Sequence, residues 1–269
     1  MPEEEIYDPW CLSLPEEFSD EMDFKAEEAI KIDDNVELPE SFSLGKWIWE
    51  TNYQWGIWSC TANSTSHWVQ VLAVAKKWKE PTDSNIATPD WKDLWKKMGH
   101  NPEKYDGWDY VEKAVKTALD NWILSLEAWE LLKFDAFCTM DWDGTTKCIE
   151  KMKRYLYNLN PIVRCMRWNK SVWNQLSAWQ LKTWIKVADS TGWHAICLVG
   201  WDVNWFRFVN SWLKNDWLNP ARKSRFHVPY STLKLYRPMF NWRMWILYAK
   251  IDALKSPEYL KRKNTALIL

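Results

Sequence analysis

A cysteine attacks an amide carbonyl well only as its thiolate. The chemistry therefore asks for a thiol at a helix N-terminus, where backbone N–H dipoles lower its pKa, and for a histidine to take the proton. Cys60 meets the first requirement. It follows Ser59 and opens a proline-free stretch to Lys77 whose apolar positions, Ala62, Val69, Leu72, Ala73 and Ala75, suit a helix with one buried face. The proton acceptor must come from far along the chain. Of the 4 histidines only His194 stands in a glycine-containing turn, Thr191-Gly192-Trp193-His194, that leads into an apolar strand and would hold the ring rigidly. A third group has to fix the tautomer of that ring, and Asn210, after the run Trp205 to Val209, offers a side-chain amide acceptor with Trp212 beside it. A fourth has to donate to the oxyanion that develops during attack. Gln54, six residues before the thiol, joins the Cys60 backbone N–H in that role.

These residues need elements to carry them. Apolar spacing predicts a short helix over Trp91 to Met98 and longer ones over Tyr110 to Leu119 and Cys148 to Leu159. Beyond Asn160 the pattern changes to short apolar or alternating runs: Pro161 to Cys165, Ala195 to Val199, Trp205 to Val209, Phe226 to Val228 and Met244 to Lys250. Those runs predict strands, so the chain divides into a helical first half and a β second half. Cys138, Cys148, Cys165 and Cys197 read as core thiols, and His67, His100 and His227 as structural or exposed. Asp141 to Gly144 reads as a turn rather than a calcium loop, because the twelfth position would be Met152.

The formal charge of −1 argues against a general nucleic-acid binder. The charge is unevenly placed, however. Residues 1 to 40 hold 15 acidic and 2 basic side chains out of 36 and 35 in the whole chain, so an arm of net −13 precedes a body of net +12. Residues 1 to 36 read as an acidic arm or short prosegment, ordered only against a partner surface such as the chain's own basic face. No signal segment and no apolar run long enough to span a membrane is evident, which predicts a cytoplasmic, monomeric protein. The 6 cysteines are too sparse for a disulfide scaffold, so reduced thiols are expected.

The chain carries 24 Trp and only 7 Gly, as if the two were exchanged. Trp122, Trp142 and Trp193 stand in turns where a positive φ would call for glycine. A lineage that reads the UGA codon as glycine, with the sequence translated as tryptophan, would produce this pattern. A truly Trp-rich protein stacking sugars or bases is the alternative.

The segment Gln54-Trp55-Gly56-Ile57-Trp58-Ser59-Cys60-Thr61-Ala62-Asn63 resembles the Gln-Gly-x-x-Gly-Ser-Cys-Thr-Ala-Asn form found in bacterial members of the papain family of cysteine peptidases, with Trp55 and Trp58 in glycine positions. His194-Ala195-Ile196-Cys197-Leu198-Val199-Gly200-Trp201-Asp202 resembles that family's His-Ala-x-x-x-Val-Gly-Tyr-Asp segment, and Asn210-Ser211-Trp212 matches its Asn-Ser-Trp. His194 and Asn210 follow Cys60 by 134 and 150 residues, within the family's interval.

The resemblance implies an α+β, two-lobed fold with the site in the cleft between a helical lobe (about 55–155) and an antiparallel, barrel-like β lobe (about 156–250). These lie within a peptidase domain over 37–255, followed by a basic tail over 256–269. It implies Cys60, His194, Asn210 and Gln54 as the catalytic set, with Trp58, Ser59, Trp193 and Trp212 along the peptide. It also implies peptide or protein substrates and no metal or organic cofactor. Two departures stand out: an indole at Trp58 would occupy the cleft, and Leu213 replaces the usual glycine after Asn-Ser-Trp. The other readings of the same features are an inactive peptide-binding domain and an acyl transferase on the same fold. The acidic arm has two readings, a solubilising tail or a propeptide that lies across a basic face and blocks the cleft until removed, and the second is expected.

Overall fold

The computed structural model describes residues 24–25, 35–45, 48, 59–77, 90–104, 107, 109–121, 123–124, 131–132, 136–168, 192–211, 225–235 and 240–248. Most of the acidic arm, Cys11, Gln54, Trp58, Trp122, Trp212, Leu213 and the 256–269 tail fall outside the described residues.

Helix α1 (Cys60–Lys77) begins at the expected residue. The expectation of one buried face does not hold. Thr61, Asn63, Ser64, Thr65, Ser66, His67 and Gln70 are buried together with Trp68, Val69, Val71 and Leu72. The reason is packing on several sides: α1 lies between strand β7 (Gly192–Trp201) and two helices, α2 (Trp91–Lys97) and α3 (Val111–Asp120). Asp90 caps α2 by accepting from the Lys92 N–H at 2.9 Å. On α3 the apolar positions Val111, Ala114, Val115 and Ala118 turn inward as their spacing predicts.

Helix α4 (Thr146–Tyr157) starts and stops about two residues earlier than the apolar pattern suggests, and both ends have a cause. Thr145 caps it by accepting from the Cys148 N–H at 3.1 Å. At the other end Leu159 takes φ +63°, with its N–H on the Leu156 carbonyl and the Asn160 N–H on the Tyr155 carbonyl, a Schellman closure. Leu159 tolerates that left-handed backbone while its side chain packs against the core.

The main sheet runs in the order β1 (Phe24–Lys25), β5 (Ala136–Asp141), β10 (Phe240–Tyr248), β6 (Ile162–Trp168), β7, β8 (Trp205–Val209) and β9 (Arg225–Pro229), with β2 (Phe42–Ser43) pairing to β7. A separate hairpin joins β3 (Ile123–Leu124) to β4 (Leu131–Leu132). A short helix, α5 (Tyr230–Leu235), follows β9. All described pairings are antiparallel except β1 with β5, where Phe24 lies opposite Cys138. The expectation that the strands begin beyond Asn160 needs correcting: β5 precedes Asn160 yet occupies a place inside the sheet. Its six residues are too short a run to separate from helix by periodicity alone.

The two tryptophans within reach of the glycine comparison, Trp142 and Trp193, do not have positive φ; Leu159 is the one non-glycine residue that does among those described. The turn after β5 uses Gly144 at φ +79° instead. Gly192 and Trp193 lie in strand β7 rather than in a turn. A real requirement for glycine falls at Gly200, where an added Cβ would meet the Phe42 carbonyl oxygen and lie 2.9 Å from Ser43 Cα. Gly200→Ala is thus expected to force β2 off β7 and cost about 2 kcal/mol. A thermal unfolding midpoint equal to that of the parent chain would show that β2 shifts freely.

Among the described residues no disulfide joins Cys60, Cys138, Cys148, Cys165 or Cys197. No described helix is long and apolar enough to cross a membrane.

Candidate active site

Cys60 is the first residue of α1, immediately after Ser59, a residue type favoured where a helix begins. No acidic side chain lies in that first turn, so nothing there offsets the positive end of the helix dipole. A thiolate at this position gains from the positive end of the helix dipole.

His194 is held on β7 opposite Met166 of β6, and three residues further on, from Cys197, β7 also pairs with β8. Asn210 directly follows Val209, the last residue of β8. The two side chains meet with His194 Nε2 2.6 Å from Asn210 Oδ1. That same oxygen accepts the Ser211 backbone N–H at 2.8 Å. A backbone N–H can only donate, so the atom it meets must be the amide oxygen and not the nitrogen. An oxygen there in turn requires a proton on Nε2. In the neutral ring the lone pair is then left on Nδ1, the tautomer in which Nδ1 can act as a base.

Burial keeps this ring neutral. His194 has no exposed surface, and desolvation lowers its pKa from 6.5 to about 3, with the Asn210 hydrogen bond acting in the opposite direction. Since α1 packs directly on β7, the helix that opens with Cys60 rests on the strand that presents His194. Cys60 is likewise fully buried.

Of the other expected site residues, Ser59 is buried, with both its carbonyl and its hydroxyl engaged by Asn63. Trp193 is partly buried against the core beside Arg167 of β6. Gln54, Trp58 and Trp212 lie outside the described residues. His67 is buried within α1, and His100 is bonded to Asp109 at 2.7 Å while stacked on Trp95. Sequence reasoning overlooked two contributors. The Ser211 N–H fixes the Asn210 amide, and no side-chain pattern could reveal a main-chain donor. The Asn63 contact with Ser59 had a visible signal, an amide side chain four residues after a serine at a helix start.

No protein-family model matches the sequence. No curated protein matches it either. Solved structures do. Xylellain, a cysteine protease from Xylella fastidiosa, superposes with a TM-score of 0.66 at 16% identity, over 91% of this chain and 98% of its own. Procathepsin B S9 from Trypanosoma congolense gives 0.59 at 16% identity over 91% and 87%. The Carica candamarcensis cysteine protease CMS1MS2, solved in complex with E-64, gives 0.53 at 11% identity over 79% and 100%. With α1 set against a curled antiparallel sheet, this chain has the α+β fold of the papain-like cysteine proteases.

Proposed function

We propose that this protein is a cysteine peptidase with Cys60 as nucleophile, His194 as general base and acid, and Asn210 as the residue that orients the ring. The observation carrying this reading is the His194 to Asn210 contact, with its tautomer set by Ser211. Nδ1 of His194 takes the thiol proton while Sγ adds to the peptide carbonyl carbon. The oxyanion accepts from the Cys60 N–H and from Gln54. The tetrahedral adduct collapses as Nδ1–H gives its proton to the leaving amine, which leaves a thioester on Cys60. Water, deprotonated at Nδ1, then attacks the thioester, and the acid product leaves with the thiol restored.

The test is treatment of the protein from its own cells with a thiol-directed epoxide, followed by mass spectrometry of the peptide spanning Tyr53 to His67, beside an assay on fluorogenic peptides. Stoichiometric adduct at Cys60 with matching loss of hydrolysis is the expected result. Adduct that forms only after residues 1–22 are removed would assign the cover over the site to the acidic arm while keeping strand β1. No adduct under either condition would overturn the reading in favour of an inactive peptide-binding domain. Transfer of the acyl group to added amines in preference to water would place the protein among acyl transferases instead.

The same peptide reads residue 58. Glycine is expected there if UGA encodes glycine in the source organism. Tryptophan at 58 would leave the cleft filled and strengthen the binding-only reading.

A further inference from the structure

Asn63 lies one turn into α1 and is completely buried. Its Nδ2 donates to the Ser59 carbonyl oxygen at 2.9 Å and to the Ser59 hydroxyl at 3.0 Å. Its backbone N–H donates to the same carbonyl at 3.0 Å. One carbonyl oxygen thus receives two hydrogen bonds from a single residue, while the amide oxygen of that residue, Oδ1, is buried and meets no donor among the described residues. A buried amide with one end unsatisfied is costly, so its position calls for an explanation.

The explanation lies in the peptide unit that Asn63 grips. The Ser59 carbonyl and the Cys60 N–H belong to one planar trans peptide, in which C=O and N–H point in opposite directions. Two donors that fix the oxygen therefore fix the direction of the N–H. A carbonyl that accepts two hydrogen bonds also polarises its own peptide and makes the opposite N–H a stronger donor. Donors that stabilise an oxyanion work because they are aimed beforehand, at no cost of reorientation during the reaction.

We propose that Asn63 is a positioning residue for the oxyanion site: through the Ser59 to Cys60 peptide it aims and polarises the Cys60 backbone N–H. Asn63 touches neither the substrate nor the thiol proton. The role rests on the peptidase reading above, and it separates Asn63 from the thiolate chemistry of Cys60 and His194. Alkylation of the thiolate builds no oxyanion, whereas peptide hydrolysis does. Addition of the Cys60 thiol across the carbonyl of a peptide aldehyde, with sulfur bonding to carbon and the proton passing to oxygen, also places an oxygen in that site.

The experiment uses the full chain with Asn63→Leu, which removes the donor at similar volume, and Asn63→Asp, which keeps the shape and sets an oxygen against the Ser59 carbonyl. Three quantities are measured: kcat and KM for peptide hydrolysis, affinity for a peptide aldehyde, and the rate at which iodoacetamide alkylates Cys60. The expected result is a fall in kcat of roughly 10- to 30-fold, less than the full loss of an oxyanion donor. Aldehyde affinity should fall in parallel, with KM and alkylation rate within about twofold of the parent chain. An unchanged kcat and aldehyde affinity would overturn the proposal. So would an alkylation rate that falls in step with kcat in both variants, which would mark Asn63 as part of the helix framework only. A parent chain that binds the aldehyde without hydrolysing peptides overturns the peptidase reading alone, because aldehyde affinity in the variants still reads the aimed N–H. A parent chain that does neither overturns both.

Discussion

Replacing His194 with alanine is expected to lower kcat for peptide hydrolysis by about 10³-fold, the usual scale for loss of a positioned general base that also serves as acid. Replacing Asn210 with alanine is expected to cost less, about 10- to 100-fold, and for a different reason. Asn210 accepts from a ring that becomes cationic during catalysis, and hydrogen bonds to charged groups are worth about 1.5–3 kcal/mol. Its removal frees the ring to exchange tautomers and leaves the Ser211 N–H without the oxygen it now meets at 2.8 Å. The Asn210 hydrogen bond raises the His194 pKa against the larger lowering by burial, so without it the imidazolium becomes harder to form. The rate at which iodoacetamide alkylates Cys60, followed against pH, separates the two variants. Asn210→Ala should retain a titrating limb displaced toward lower pH, whereas His194→Ala should leave only the intrinsic titration of the thiol. Equal rates of hydrolysis in Asn210→Ala and the parent chain would remove Asn210 from the mechanism.

What the sequence made legible follows from how local each signal is. The start of α1 at Cys60 could be read because Ser59 precedes a proline-free apolar pattern, and the strand from Trp205 to Val209 because alternation over five residues is a short-range property. Asn210 could be proposed as a partner for His194 from type and spacing, yet the tautomer needed the Ser211 N–H, a main-chain group present at every residue and therefore silent in sequence. The burial of α1 from Cys60 to Leu72 was equally hidden, since α2, α3 and β7 pack around a helix whose own polar residues suggest a wet side. β5 escaped because Ala136–Asp141 becomes a strand through its pairing with β10, more than a hundred residues away. The glycine argument failed at Trp142 and Trp193 for a simpler reason. A Gly-rich turn in a relative does not by itself mean positive φ at each of its positions, and here Gly144 alone carries that conformation in the turn after β5.

The same burial that makes the candidate site predicts a steep loss of stability in acid. His67 on α1 and His194 on β7 are both fully buried, and each pKa is lowered from 6.5 to about 3, chiefly by desolvation, with the Arg225 guanidinium adding to the effect at His67. Between those values the unfolded chain binds a proton at each histidine and the folded chain does not. Stability is therefore fully present above pH 6.5 and is lost as pH falls toward 3. Together the two groups cost on the order of 3 kcal/mol per pH unit. Against a domain stability of about 5–15 kcal/mol, two to three units are enough to approach unfolding. The thermal unfolding midpoint is expected to be level from pH 8 to 7 and to fall steeply between pH 6 and 4. His67→Gln, which keeps a polar side chain but cannot titrate, should halve the slope. A midpoint that stays level from pH 7 to 5 would mean that charged histidines are accommodated in the folded chain. If the proposed peptidase reading holds, activity should be lost in acid together with the fold, since both buried histidines are neutral in the folded chain well above pH 3.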